Sequence, residues 1–130
     1  MKSIFLIITL TLSFGFANAQ KTNYELLQGK WQSTEDKTNF LIFEKNKRKE
    51  IAEGMDSWDI EDFVLANSCQ NSSDKANGIP PEKNKYISVA KSDLCWYIVK
   101  INSTTLWLSY MGRGNTLSYK RVKTQNKKPK

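Results

Sequence analysis

The chain contains no histidine. That absence removes Ser-His-Asp and Cys-His nucleophilic catalysis, histidine-ligated zinc or iron, and the usual general base near neutral pH. Cysteine is nearly as scarce, and Cys69 and Cys95 alone do not make a structural zinc site. No metal and no cofactor is therefore expected. No helical stretch is long enough for a βαβ crossover, which excludes a parallel sheet. Catalysis by paired carboxylates needs no histidine, and Asp56, Asp59, Glu61 and Asp62 lie close together in sequence. On a strand, however, Asp59 and Glu61 share one face and Asp62 takes the other, which reads as the polar side of an edge or mouth. The chain is accordingly expected not to be an enzyme.

What is present begins with a leader. Lys2 supplies a positive start, residues 4–16 an uncharged apolar stretch, and Ala17-Asn18-Ala19 a small-x-small cleavage site. The pattern predicts a signal peptide over 1–19, a mature chain from Gln20 and a secreted or periplasmic destination. The apolar run falls short of the roughly 18 to 20 residues of a spanning helix, so no transmembrane anchor is expected after cleavage. Roughly 111 residues then remain, enough for one domain over 20–122 and a basic disordered tail over 123–130. Loss of Lys2 with the leader lowers the net charge from +7 to +6. Much of that excess sits in the tail and in Glu44-Lys45-Asn46-Lys47-Arg48-Lys49-Glu50, clusters that read as a solvated hairpin edge and a frayed end. Export argues against nucleic acid as a partner. In an oxidising compartment an even pair of cysteines usually forms a bridge, so a Cys69–Cys95 disulfide is expected.

Beyond Gln20 the chain reads as one short helical turn near residues 23–28, ended by Gly29, and then strands divided by turn residues. Candidate strands cover 30–35, 39–44, 48–53, 57–66, 85–91, 94–101, 105–111 and 116–122. Eight consecutive strands with hairpin links predict an all-β, antiparallel, up-and-down barrel, because closure removes both exposed edges. One alternating register turns Trp31, Ser33, Phe40, Ile42, Trp58, Ile60, Val64, Trp96, Ile98, Leu106, Leu108, Tyr110, Leu117 and Tyr119 inward. The strand over 94–101 is apolar on both faces, so Tyr97, Val99 and Ile101 need cover from outside the barrel.

Two end segments carry a resemblance. Leu27-Gln28-Gly29-Lys30-Trp31 matches the G-x-W signature at the start of a first strand, and Leu117-Ser118-Tyr119-Lys120-Arg121-Val122 matches the end of a last one. In these the chain resembles the lipocalin-like (calycin) families, in particular small secreted bacterial proteins of the Bacteroidetes type. The resemblance implies an eight-stranded barrel in which Trp31 plugs the closed end and Arg121 packs over it. A guanidinium on an indole gains cation–π attraction and reaches carbonyls of the neighbouring turn.

For function, the resemblance implies a binding protein holding a small apolar or amphipathic molecule, with Phe40, Ile42, Trp58, Ile60, Trp96, Ile98, Leu106 and Leu108 as the barrel lining. The alternative is an extracytoplasmic protein-interaction module or hydrolase inhibitor acting through its loops. The segment 67–84, with Gly78-Ile79-Pro80-Pro81 in it, is too long and polar for a hairpin turn and is the candidate partner surface. Counting strands up and down puts that segment at the Trp31 end, whereas Cys95 starts a strand at the other end. The disulfide then needs the segment to fold back along the wall, or the strand count is off by one.

Overall fold

The computed structural model describes residues 20–70 and 80–123. The expected signal peptide, the stretch 71–79 of the long segment and the tail beyond residue 123 lie outside the described residues. The elements run α1 (Asn23–Leu27), β1 (Gly29–Ser33), β2 (Phe40–Glu44), β3 (Lys47–Ile51), β4 (Asp59–Asp62), β5 (Val64–Ala66), β6 (Tyr86–Val89), β7 (Leu94–Ile101), β8 (Thr105–Tyr110) and β9 (Thr116–Arg121). The Thr22 hydroxyl caps α1 by accepting from the Glu25 amide at 3.2 Å.

All strands join one antiparallel sheet in the order β4-β3-β2-β1-β9-β8-β7-β6-β5. Every neighbour is also a sequence neighbour except at β1 and β9, whose pairing curls the meander into a nearly closed up-and-down barrel. The count is nine rather than the expected eight because the strand over 57–66 breaks at Phe63. Its first half pairs with β3 and its second with β6. Phe63 donates its amide to Asn46 O at 2.9 Å, and its buried ring meets Phe43 edge-on at 5.3 Å. The buried ring pins the bend, and the bend carries one chain from one rim of the sheet to the other. No ladder joins β4 to β6; the Ser92 hydroxyl, in the turn after β6, crosses that opening to Glu61 Oε2 at 2.8 Å.

The core is the barrel interior: Leu27, Trp31, Leu41, Phe43, Phe63, Ile87, Val89, Trp96, Ile98, Leu106, Leu108 and Tyr119. The expected phase of β2 is corrected here. Trp31 pairs with Leu41, and Phe43 with Arg48, so Leu41 and Phe43 fill the interior while Phe40 and Ile42 are half-buried on the outer face. Four consecutive apolar residues give alternation no phase to read. Ile60 follows the same face, paired through Lys49 to Ile42, and is 53% exposed; Val64, also expected inward, is 55% exposed in β5. Trp58 precedes β4 and is half-buried.

A smaller cluster of Cys69, Tyr86 and Cys95, with Tyr97 and Met111 against it, covers the outer face of β6 and β7. After β5 the chain doubles back over that face. Cys69 is bonded to Cys95 with a Cα–Cα distance of 5.8 Å, and the Gln70 amide donates to Ser88 Oγ at 2.9 Å. Tyr97, whose hydroxyl donates to Glu82 Oε1 at 2.9 Å, packs on Tyr86 under this segment. Folding back therefore reconciles the disulfide with the strand directions. The other two outward candidates fare differently. A register shift between Ile98 and Lys100 leaves Val99 43% exposed and returns Ile101 to the core beside Leu106.

Candidate functional site

The closed end shows why G-x-W takes its form. Trp31 is fully buried and its Nε1 donates to Leu27 O at 2.9 Å. The Arg121 guanidinium lies 4.2 Å from the Trp31 ring centroid. Its Nε donates to Ser103 O at 2.6 Å, its Nη1 to Gln28 O at 2.7 Å and its Nη2 to Leu26 O. Gly29 has φ +119°, and a Cβ there would come within 2.6 Å of Arg121 Nη1. Only glycine admits both the turn and the guanidinium. Each nitrogen of that fork donates to a carbonyl of the turn or helix end, so the arrangement is a clamp.

The open end carries a second arginine on a second tryptophan. Arg48 is 4% exposed and its guanidinium lies 4.1 Å from the Trp96 ring centroid. A two-residue turn at Lys45-Asn46, with Lys45 at φ +53°, pairs Glu44 with Lys47 and so places Arg48 opposite Phe43, facing inward. Arg48 Nε has no hydrogen-bond partner, and Glu50 Oε1 stands 3.7 Å from Nη2, beyond hydrogen-bond reach. The other buried side-chain atom without a partner among the described residues, Asn39 Oδ1, also adjoins Glu50, since Asn39 Nδ2 donates to Glu50 Oε2 at 3.2 Å. Both orphaned atoms thus flank one carboxylate at one end of the barrel.

Above this arginine opens a cavity of about 250 Å³ lined by Arg48, Glu50, Leu94, Trp96, Tyr110, Leu117 and Tyr119. Trp96 and Tyr110 pack with ring centroids 5.8 Å apart. Burial pushes the Tyr119 phenol up to about 12, so it remains a neutral hydroxyl. A larger groove of about 640 Å³ lies at the β4–β5 bend, with Tyr24, Asn46, Asp62 and Asn84 on its rim. Of its polar groups, Asp62 pairs with Lys47, and Asn84 O accepts from Asn23 Nδ2 at 2.9 Å. No buried charge faces it.

Of the eight lining residues expected from sequence, Trp96 alone borders the cavity. Ile98, Leu106 and Leu108 are fully buried in the core beneath it, while Phe40, Ile42, Trp58 and Ile60 lie elsewhere, as described above. Arg48 and Glu50 escaped sequence reasoning because they stand in a lysine-rich stretch that reads as solvent. The signal that finds them is the two-residue turn: once Phe43 is known to face inward, Arg48 must follow. Among the described residues no three His, Cys, Asp or Glu side chains gather as a metal site.

Fold and site together define a nearly closed antiparallel β-barrel with a filled floor and a small aromatic cavity at its open end. No protein family, curated protein or solved structure matches the chain.

Proposed function

We propose that this chain is a lipocalin-like binding protein, exported from the cytoplasm, that holds one compact apolar or amphipathic molecule at the open end of its barrel and performs no chemistry on it. The observation that supports this most is an aromatic-lined cavity bordered by buried Arg48, whose Nε has no hydrogen-bond partner. Ligand pockets combine apolar walls with a few convergent polar groups in this way. The G-x-W segment and the Arg121 clamp support the lipocalin-like reading, and the leader supports export.

Trp31, Phe43, Phe63, Ile98 and Leu108 are buried together beneath the cavity, which favours a short, broad ligand over an extended acyl chain. That filled interior also favours a second reading, an interaction module working through its surface. Titrating the protein with 2-naphthamide while following tryptophan fluorescence separates the two. Saturable quenching, abolished by Leu117→Trp at an unchanged melting temperature, supports the cavity. A signal indifferent to Leu117→Trp moves the function to the surface.

A further inference from the structure

We infer that the open-end cavity selects a compact, singly charged carboxylate with a flat apolar body, held by the guanidinium of Arg48. This rests on the cavity being a ligand site and names the chemical class that fits it. A buried guanidinium with an unmet donor is an unfavourable arrangement unless an acceptor joins it. The two carboxylates that flank Arg48 do not serve. Glu50 stays at 3.7 Å and spends Oε2 on Asn39. Glu61, opposite Arg48 in the β3–β4 register, accepts from Ser92. Arg48 lines the cavity and its Nε has no acceptor, and a carboxylate matches the guanidinium fork with two parallel hydrogen bonds.

The rest of the cavity restricts what carries that carboxylate. Trp96 and Tyr110 offer ring surfaces, and Leu94 and Leu117 apolar walls, in a volume of about 250 Å³. A flat ring system fits where a long acyl chain meets the filled floor. The charge is limited as well: Glu50 sits within 4 Å of the guanidinium and repels a dianion such as a phosphate monoester more than a monocarboxylate. The Tyr119 hydroxyl lines the same cavity as a neutral donor for the second oxygen.

Calorimetric titration of the disulfide-bonded protein with 2-naphthoate and with 2-naphthamide tests the assignment, since the two share a body and differ in charge. The carboxylate should bind at least about tenfold more tightly, as a charge-assisted bidentate pair exceeds a neutral contact. Arg48→Met should erase that preference, bringing the two affinities within about threefold of each other, because the charge-assisted contact is lost. Glu50→Gln leaves Arg48 in place and should strengthen naphthoate binding about threefold or more by removing the competing charge. It also keeps the test alive if Arg48→Met does not fold. Equal affinity for the two ligands, a preference that survives Arg48→Met, a Glu50→Gln variant that binds naphthoate more weakly, or tighter binding of 2-naphthyl phosphate overturns the carboxylate assignment and leaves the cavity a ligand site. Binding of neither compound overturns the reading of the cavity itself.

Discussion

The two ends of this barrel are built from the same unit, an arginine lying on a tryptophan, and differ in what the guanidinium does with its hydrogens. At the closed end Arg121 faces Trp31 at 4.2 Å and donates to three carbonyls of α1, its C-cap and the β7–β8 turn. At the open end Arg48 faces Trp96 at 4.1 Å, with Nε unpaired and the nearest carboxylate too far to accept. Stacking is common to both and therefore distinguishes nothing. What separates the two is satisfaction: every nitrogen of the first arginine's fork has an acceptor, and the Nε of the second has none.

Stability measurements sharpen this contrast. The largest effect belongs to Trp31→Ala, which should cost ~3 to 5 kcal/mol by denaturant titration, because the emptied space at the closed end cannot collapse. A loss below ~1 kcal/mol would mean that the plug is not what holds the barrel shut. Next comes the wall outside both ends. Replacing Cys69 and Cys95 together by alanine should cost ~3.5 kcal/mol in the chain-entropy picture while leaving the preference for naphthoate over its amide unchanged. A lost preference would tie the open end to the outer segment.

The decisive comparison is the matched pair of arginine variants. Arg121→Met strands three carbonyls and should destabilise by about 2 to 3 kcal/mol. Arg48→Met, which removes a buried charge lacking a hydrogen-bonded partner, should leave stability within about 1 kcal/mol or raise it. Equal losses would erase the distinction between clamp and site. Alkaline titration probes the same end. Burial raises the Tyr119 phenol to about 12, against an unfolded value near 10. Because the folded value is the higher one, its contribution is complete below pH 10 and is lost as the pH rises towards about 12, a change of about 2 to 3 kcal/mol. Tyr119→Phe should remove that part of the alkaline decline, and an unchanged pH profile would show a hydroxyl better solvated than its burial implies. The smallest effect is the coupling between Trp31 and Arg121, at least ~0.5 kcal/mol in a double-mutant cycle, since residues in contact are not additive. Additivity there would mean that the clamp works only through its carbonyls.

Sequence was a good guide wherever the pattern was local. The glycine at position 29, the turn-rich spacing and the alternation in β8 and β9 predict an antiparallel meander, and Leu106, Leu108 and Tyr119 face inward as their period demands. It was a poor guide where both faces of a strand are apolar. In Phe40-Leu41-Ile42-Phe43 composition carries no phase, and choosing the wrong one turned Arg48 from an interior residue into part of a solvated turn. Phe40 and Ile42 fell out of the expected lining for that reason, and Ile60 because the ladder through Lys49 puts it on the outer face with Ile42.

By itself, then, the sequence determined the class of architecture, the pairing of its two cysteines and the identity of the closed-end plug, because period, count and local motif do not depend on distant partners. Only the tertiary structure decided the strand phases, the break at Phe63 that carries one chain across the barrel's opening, and the burial of Arg48 over Trp96. These depend on which residue stands across the ladder or across the lumen, and a single-residue shift in register reverses the answer.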